Sequence, residues 1–114
     1  MKGQRLFVRP METADQEPVR AFLGYLPQHG YIGKLVGELV AVLAVAPDEN
    51  DGLRIENLFV ADDLRRKRIG RFMLEEAARQ SGRALVVEQP GDARGFFERV
   101  GFVQVGERLI RRVG

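Results

Sequence analysis

The 114-residue sequence has no cysteine, no tryptophan and a single histidine, His29. Without cysteine there is no thiol nucleophile, no disulfide and no thiolate ligand for a metal. One histidine excludes a multi-histidine metal site, so no metal is expected. A Ser-His-Asp triad would need His29 as its base, and no nucleophile-elbow motif accompanies it. No apolar run approaches the roughly 20 residues of a membrane span. No signal-peptide core follows Met1-Lys2-Gly3-Gln4-Arg5, so a soluble, cytoplasmic protein is the expectation. Charge of one sign is not in large excess: the net charge is +2, and local clusters matter more than the total. Repeats, linkers and low-complexity tracts are also missing. The length is that of one ordinary domain, so residues 1–114 are read as a single domain that can bury a core without staples.

What the chain does have is arginine, which makes up fifteen of its eighteen basic residues. Arginine suits bidentate contacts to phosphate. The densest cluster is Arg65-Arg66-Lys67-Arg68-Ile69-Gly70-Arg71. It follows an apolar run, Ile55 to Val60, and precedes an amphipathic one, Ile69 to Ala78, which reads as strand, basic loop, helix. The first amides of a helix lack intrahelical partners and carry the positive end of its dipole. With cations beside them they form an anion site, so a phosphorylated ligand is expected.

The remaining elements follow from periodicity and turn residues. Arg5 to Met11 predicts a first strand that ends near Pro10. Thr13 and Asp15 are candidate caps for a helix to about Leu26, with Val19, Phe22, Leu23 and Leu26 as its buried stripe. Tyr31 to Ala46 predicts two antiparallel strands turning at Gly37-Glu38. Leu53 to Val60 is the next strand. The helix from Ile69 should bury Ile69, Phe72, Met73 and Ala77, with Leu74 and Ala78 flanking, and stop at Ser81-Gly82. Ala84 to Glu88 predicts a short central strand covered on both faces. Asp92 is a candidate cap for a helix burying Ala93, Phe96, Phe97 and Val100, with Gly101 ending it in a left-handed conformation. Phe102 to Val105 and Glu107 to Val113 close the sheet around Gly106. The order is β-α-β-β-β-α-β-α-β-β, an α/β fold with a mixed, largely antiparallel open sheet flanked by helices.

With this order, the chain resembles the GCN5-related N-acetyltransferase (GNAT) superfamily over nearly its whole length. Leu58-Phe59-Val60 followed by Arg65 to Gly70 is similar to the family's acetyl-CoA loop, Gln/Arg-x-x-Gly-x-Gly/Ala. Arg65 and Gly70 match, and Arg68 stands where the first glycine is usual. A right-handed helical backbone at Arg68 would need no glycine, whereas a positive φ would cost roughly 1 kcal/mol or more. Ala93 to Phe102 resembles the family's Ala-x-x-Phe-Tyr-x-x-x-Gly-Phe segment. Arg9-Pro10 followed by Asp15 looks like a typical start of such a domain.

The resemblance implies acetyl-CoA as co-substrate. Its phosphates would meet Arg65, Arg66, Lys67, Arg68, Ile69, Gly70 and Arg71. Its pantetheine arm would lie along the backbone of Leu58, Phe59 and Val60, with Phe97 nearby. It also implies acetyl transfer to an amine, on a small molecule or a protein or peptide, by direct attack. Glu56 is the only carboxylate between Leu53 and Val60, and is the candidate base. The family's usual acid, a tyrosine, is replaced by Phe97, and its asparagine by Pro90. A second reading therefore stands: an acyl-CoA-binding module with weak or lost activity. A third, a small nucleic-acid-binding domain, has against it the modest net charge and the lack of accompanying exposed aromatics. Glu56 reads equally as a surface residue of its strand, and His29 reads as a surface histidine. The short first helical segment predicts an open acceptor side, suited to a protein or peptide terminus. The closing strands are candidates for pairing in a homodimer.

Overall fold

A computed structural model of the chain describes residues 5–64 and 68–113. One seven-stranded sheet runs in the order β1-β2-β3-β4-β5-β7-β6. Its strands are β1 (Leu6–Pro10), β2 (His29–Leu35), β3 (Glu38–Pro47), β4 (Leu53–Val60), β5 (Leu85–Val87), β6 (Val103–Val105) and β7 (Arg108–Arg111). The helices are α1 (Gln16–Leu23), α2 (Ile69–Ser81) and α3 (Arg94–Arg99). All neighbouring strands pair antiparallel except β4 and β5, which are parallel. The fold is the expected mixed α/β sheet, with its elements in the expected order.

Two apolar layers hold it. Val19 of α1 meets Ile32 and Val42, with Phe22, Leu23 and Leu26 packed around them. The larger layer joins Met73, Leu74 and Ala77 of α2 and Phe97 and Val100 of α3 to Leu43, Leu53, Leu85 and Leu109. Met73 and Leu74 are fully buried, each worth roughly 1.5–3 kcal/mol of transfer free energy. β5 is buried along its whole length, as its continuous apolar run requires. Gln80 Nε2 donates to the Val8 carbonyl at 2.8 Å, tying the end of α2 to β1.

Several expectations shift. Helix α1 ends at Leu23, because Gly24 takes a left-handed φ of 84° and its amide closes on the Arg20 carbonyl; Leu26 packs from the following coil. Asp15 supplies no side-chain cap to α1. It is buried, and takes two hydrogen bonds from Arg9, at 2.6 and 2.9 Å, and one from the Glu12 amide at 2.7 Å. The β2–β3 turn is Val36-Gly37 rather than Gly37-Glu38. Leu35 pairs with Glu38, leaving two loop residues with φ of 51° and 78°, the twist a two-residue hairpin favours. Phe72 faces outward, 39 % exposed, while Leu74 and Ala78 are buried in its place. Asp92 does not cap α3, which is entered through a 3-10 turn over Gly91–Ala93 without a side-chain cap. Ala93 is accordingly exposed. Gly101 has the expected positive φ, 105°.

Candidate active site

Strand β4 builds the site through two irregularities. The first is a bulge. Ala44 pairs with Asn57 and Val45 with Ile55, so Glu56 is the extra residue. The inside-outside alternation therefore slips by one. Ile55, Leu58 and Val60 all pack on the larger core layer, while Glu56 and Asn57 are both exposed. The second is a parting of strands. β4 pairs with β5 only at Leu53↔Leu85 and Arg54↔Val86. Beyond that point β4 pairs, among the described residues, with β3 alone, down to Val60↔Ala41. Among the described residues the remaining backbone groups on its β5 side have no strand to pair with, and a polar, extended ligand arm could use them.

The parting opens a cleft with two ends, which share Leu58 and Phe96 as an apolar waist. One end, about 570 Å³, lies between the last turn of β4, the start of α2 and α3. Its charged lining among the described residues is Arg68, Arg71 and Arg99, with no carboxylate. Arg71 Nε bonds Glu75 at 3.0 Å. The side chains of Arg68 and Arg99 make no hydrogen bond or ion pair among the described residues, so their donors are open to an anion.

Arg68 precedes α2 with φ 62° and ψ 17°, a left-handed conformation, and α2 receives no side-chain cap. The right-handed alternative at Arg68 is thereby ruled out. An arginine holds a backbone conformation that suits glycine, at a cost of about 1–2 kcal/mol. Strain of this kind concentrates where function fixes the backbone. Gly70 has a different reason to be glycine: an added Cβ would lie 3.3 Å from Leu58 Cδ2 and from Phe96 Cζ. Its lack of a side chain lets the first turn of α2 sit against the waist. Ile69 is buried and anchors that turn. Arg65, Arg66 and Lys67 lie outside the described residues.

The other end, about 600 Å³, is lined by Arg54, Glu56, Asn57, Glu88 and Pro90, with Phe97 at its base. Arg54 stands among three carboxylates, 3.8 Å from Asp48, 3.6 Å from Glu56 and 4.0 Å from Glu88. Arg108 donates to Asp48 at 3.2 Å. Phe97 is buried, stacked edge-on against Phe96 and Phe102. Its primary work is packing, and it offers no proton.

Sequence reasoning missed several cleft residues. Phe96 and Arg99 line the cationic end one helical turn apart, a spacing that could have paired them. Tyr25 lies outside the lining itself but touches it. In the fold its hydroxyl accepts from Asn57 Nδ2 at 3.2 Å, and its ring meets Phe59 edge-on. No local signal reveals a contact across 32 residues.

A family model described as an acetyltransferase (GNAT) domain matches residues 27–104, most of the chain. The chain belongs to the GNAT family. Comparison with curated protein sequences finds no match. Among solved structures, this GNAT chain is similar to a GNAT family N-acetyltransferase, YhbS, from Escherichia coli in complex with CoA. That pair has 15 % identity and a TM-score of 0.74, covering 100 % of this chain and 84 % of the other. A GNAT family acetyltransferase from Brucella melitensis in complex with acetyl-CoA has 15 % identity and a TM-score of 0.73, with 96 % and 89 % covered. N-acetylglutamate synthase from Neisseria gonorrhoeae, complexed with CoA and L-arginine, has 17 % identity and a TM-score of 0.74; the likeness covers 95 % of this chain and 33 % of that one. At these identities the likeness is one of fold, and the parted β4 and β5 belong to this GNAT chain's own geometry.

Proposed function

We propose that the chain is an acetyl-CoA-dependent N-acetyltransferase that passes an acetyl group to a primary amine by direct attack. The observation that carries this reading is the cleft itself: strands that part after Arg54 and Val86, with a cationic end at α2 and a mixed-charge end at Glu56. Coenzyme A has the matching pattern, a polyanionic end and a thin polar arm. Arg68, Arg71, Arg99 and the uncapped amides of α2 would hold its phosphates, together with Arg65, Arg66 and Lys67. Leu58, Phe59 and Val60 would bind the arm through their backbone, and one of their amides would polarise the acetyl carbonyl. The co-substrate supplies the activated thioester.

At the other end the chain must receive an amine and remove a proton from it. Glu56, pushed outward by the bulge, is the candidate base, directly or through a water. Arg54, 3.6 Å away, orients its carboxylate. Phe97 provides no acid, so the departing thiolate would take its proton from solvent or from a group other than the usual tyrosine. That buried phenyl ring is the observation that favours a second reading, an acyl-CoA-binding module without turnover.

Thiol release from acetyl-CoA across a panel of amines separates the two. Turnover is expected, together with a changed pH–rate profile in Glu56→Gln. Binding without any turnover would establish the module reading, and an unaltered profile would clear Glu56 of the base role.

A further inference from the structure

A second pocket, of about 300 Å³, lies where β1 ends and β2 and β4 begin, against the connection from α2 to β5. It touches β4 only at Leu53 and shares no lining residue with either end of the cleft. Its floor is apolar, because Tyr31, Val45 and Leu53 are buried and belong to the larger core layer. Gly82 ends α2 with φ 67°, and Arg83, next in the chain, lines the pocket.

Tyr31 is the informative residue. It is only 8 % exposed, yet its phenol makes no hydrogen bond among the described residues. Among those residues no polar side-chain atom is both sealed from solvent and unpaired. The phenol oxygen therefore keeps an opening, and the pocket is what Tyr31 lines. Its ring serves the core while its O–H is a donor presented at the floor. His29 stands two residues earlier on the same strand face, opposite Val45. It and Gln28 are exposed and form part of the lining.

The charge of the lining selects the ligand. Arg83 is its only charged residue, and no carboxylate accompanies it. The carboxylate that Arg83 pairs with, Asp51, lies outside the lining, 3.9 Å away and with a side chain 88 % exposed, so the pair is weak. A carboxylate would take charge-assisted bonds from the guanidinium and the proton of the phenol. An ammonium would meet a like charge. An apolar body on the same molecule would displace water from Tyr31, Val45 and Leu53. Water alone satisfies a phenol but gains nothing from that floor. The volume is at the small end of ligand pockets, about 300–1,000 Å³, and suits one ring or a short branched chain rather than a nucleotide or a peptide.

We propose that this pocket is a second ligand site, which takes a small carboxylate with an apolar body, held by Arg83 and Tyr31. The site stands apart from the cleft and does not depend on the acetyltransferase reading.

The test uses the full chain, isotopically labelled for amide NMR, and two probes of one shape, phenylacetate and phenylacetamide. Phenylacetate should bind saturably with a Kd on the order of 1 mM, reasonable for so small a ligand. It should move the amides of His29, Tyr31 and Arg83 and leave those of Ile69, Gly70 and Arg71 in place. Phenylacetamide, which lacks the charge, should bind about tenfold more weakly. Tyr31→Phe, which keeps the ring in the core, and Arg83→Gln should each weaken phenylacetate about fivefold or more, with the melting temperature unchanged. Shifts that never saturate would leave the phenol to water and overturn the proposal. So would shifts centred on Arg68 and Arg99, equal binding of the amide, or unaltered binding in either variant.

Discussion

Arg68 carries two opposed roles, since its side chain belongs to the cationic end of the cleft while its backbone has the φ of a glycine. The two can be separated by substitution. Arg68→Ala retains the left-handed strain and loses the guanidinium, whereas Arg68→Gly loses both. The glycine variant should be more stable than the alanine variant by about 1 kcal/mol in urea denaturation; equal stabilities would mean that the backbone there is not strained. Asp15 offers a second test at this scale. Hydrogen bonds from the Arg9 guanidinium hold its carboxyl below its ordinary value. A lowered folded value means that the unfolded chain binds the proton more readily. The resulting stability is complete above the ordinary aspartate value and is lost as pH falls through the lower, folded one. Asp15→Asn should cost about 2 kcal/mol near neutrality and show a shallower loss of stability below pH ~4. A wild-type acid limb unchanged by the substitution would contradict this. The sequence reveals that Arg68 replaces a glycine, but not its φ, because that depends on how α2 docks. It places Arg9 and Asp15 near each other, but not the burial that makes their pairing matter.

Helix α2 aims the anion site because it is seated tightly on the sheet. A Cβ at Gly33 of β2 would fall 2.7 Å from Met73 Sδ, a contact real side chains avoid. Gly33→Ala should therefore destabilise the fold by about 1–3 kcal/mol through overpacking. In a Met73→Ala background the same change should be nearly neutral, a coupling that urea denaturation of the four-member cycle would reveal. Additive effects would mean that α2 does not press on β2 at this point. Strand β4 shows how much of an element can be read in advance. Its limits, Leu53 to Val60, follow from the apolar run and its flanks. The bulge is written in the spacing Leu53, Ile55, Leu58, Val60, where a step of three interrupts steps of two. That step is meaningful only once β3 is known to pair opposite it. The short pairing with β5 has no local signature at all, since it follows from where α2 returns the chain.

Across the whole molecule the two ends of one cleft differ in charge. Arg68, Arg71 and Arg99 line one end, and Arg54 with the carboxylates of Glu56 and Glu88 lines the other. The element order, and with it the GNAT fold, was legible because each helix carries its own apolar stripe and every connection except the basic loop before α2 its own glycine or proline. The cleft was most legible at its cationic end, where the basic residues are contiguous, while Glu56 and Phe97 marked the other end. Arg99 reaches it from another part of the chain, and Tyr25 touches it only through Asn57; the fold alone brings them there.

The central claim is that the cationic end binds the phosphates of acetyl-CoA. Calorimetric titration with acetyl-CoA, on the native chain and on Arg68→Glu, tests it directly. Glutamate carries the same backbone penalty as arginine at a left-handed position, so a difference in binding reports the charge. The native chain should bind, and the variant should bind about tenfold or more weakly, with the native affinity falling as salt rises. No binding by the native chain, or equal affinity in the variant, would contradict the account.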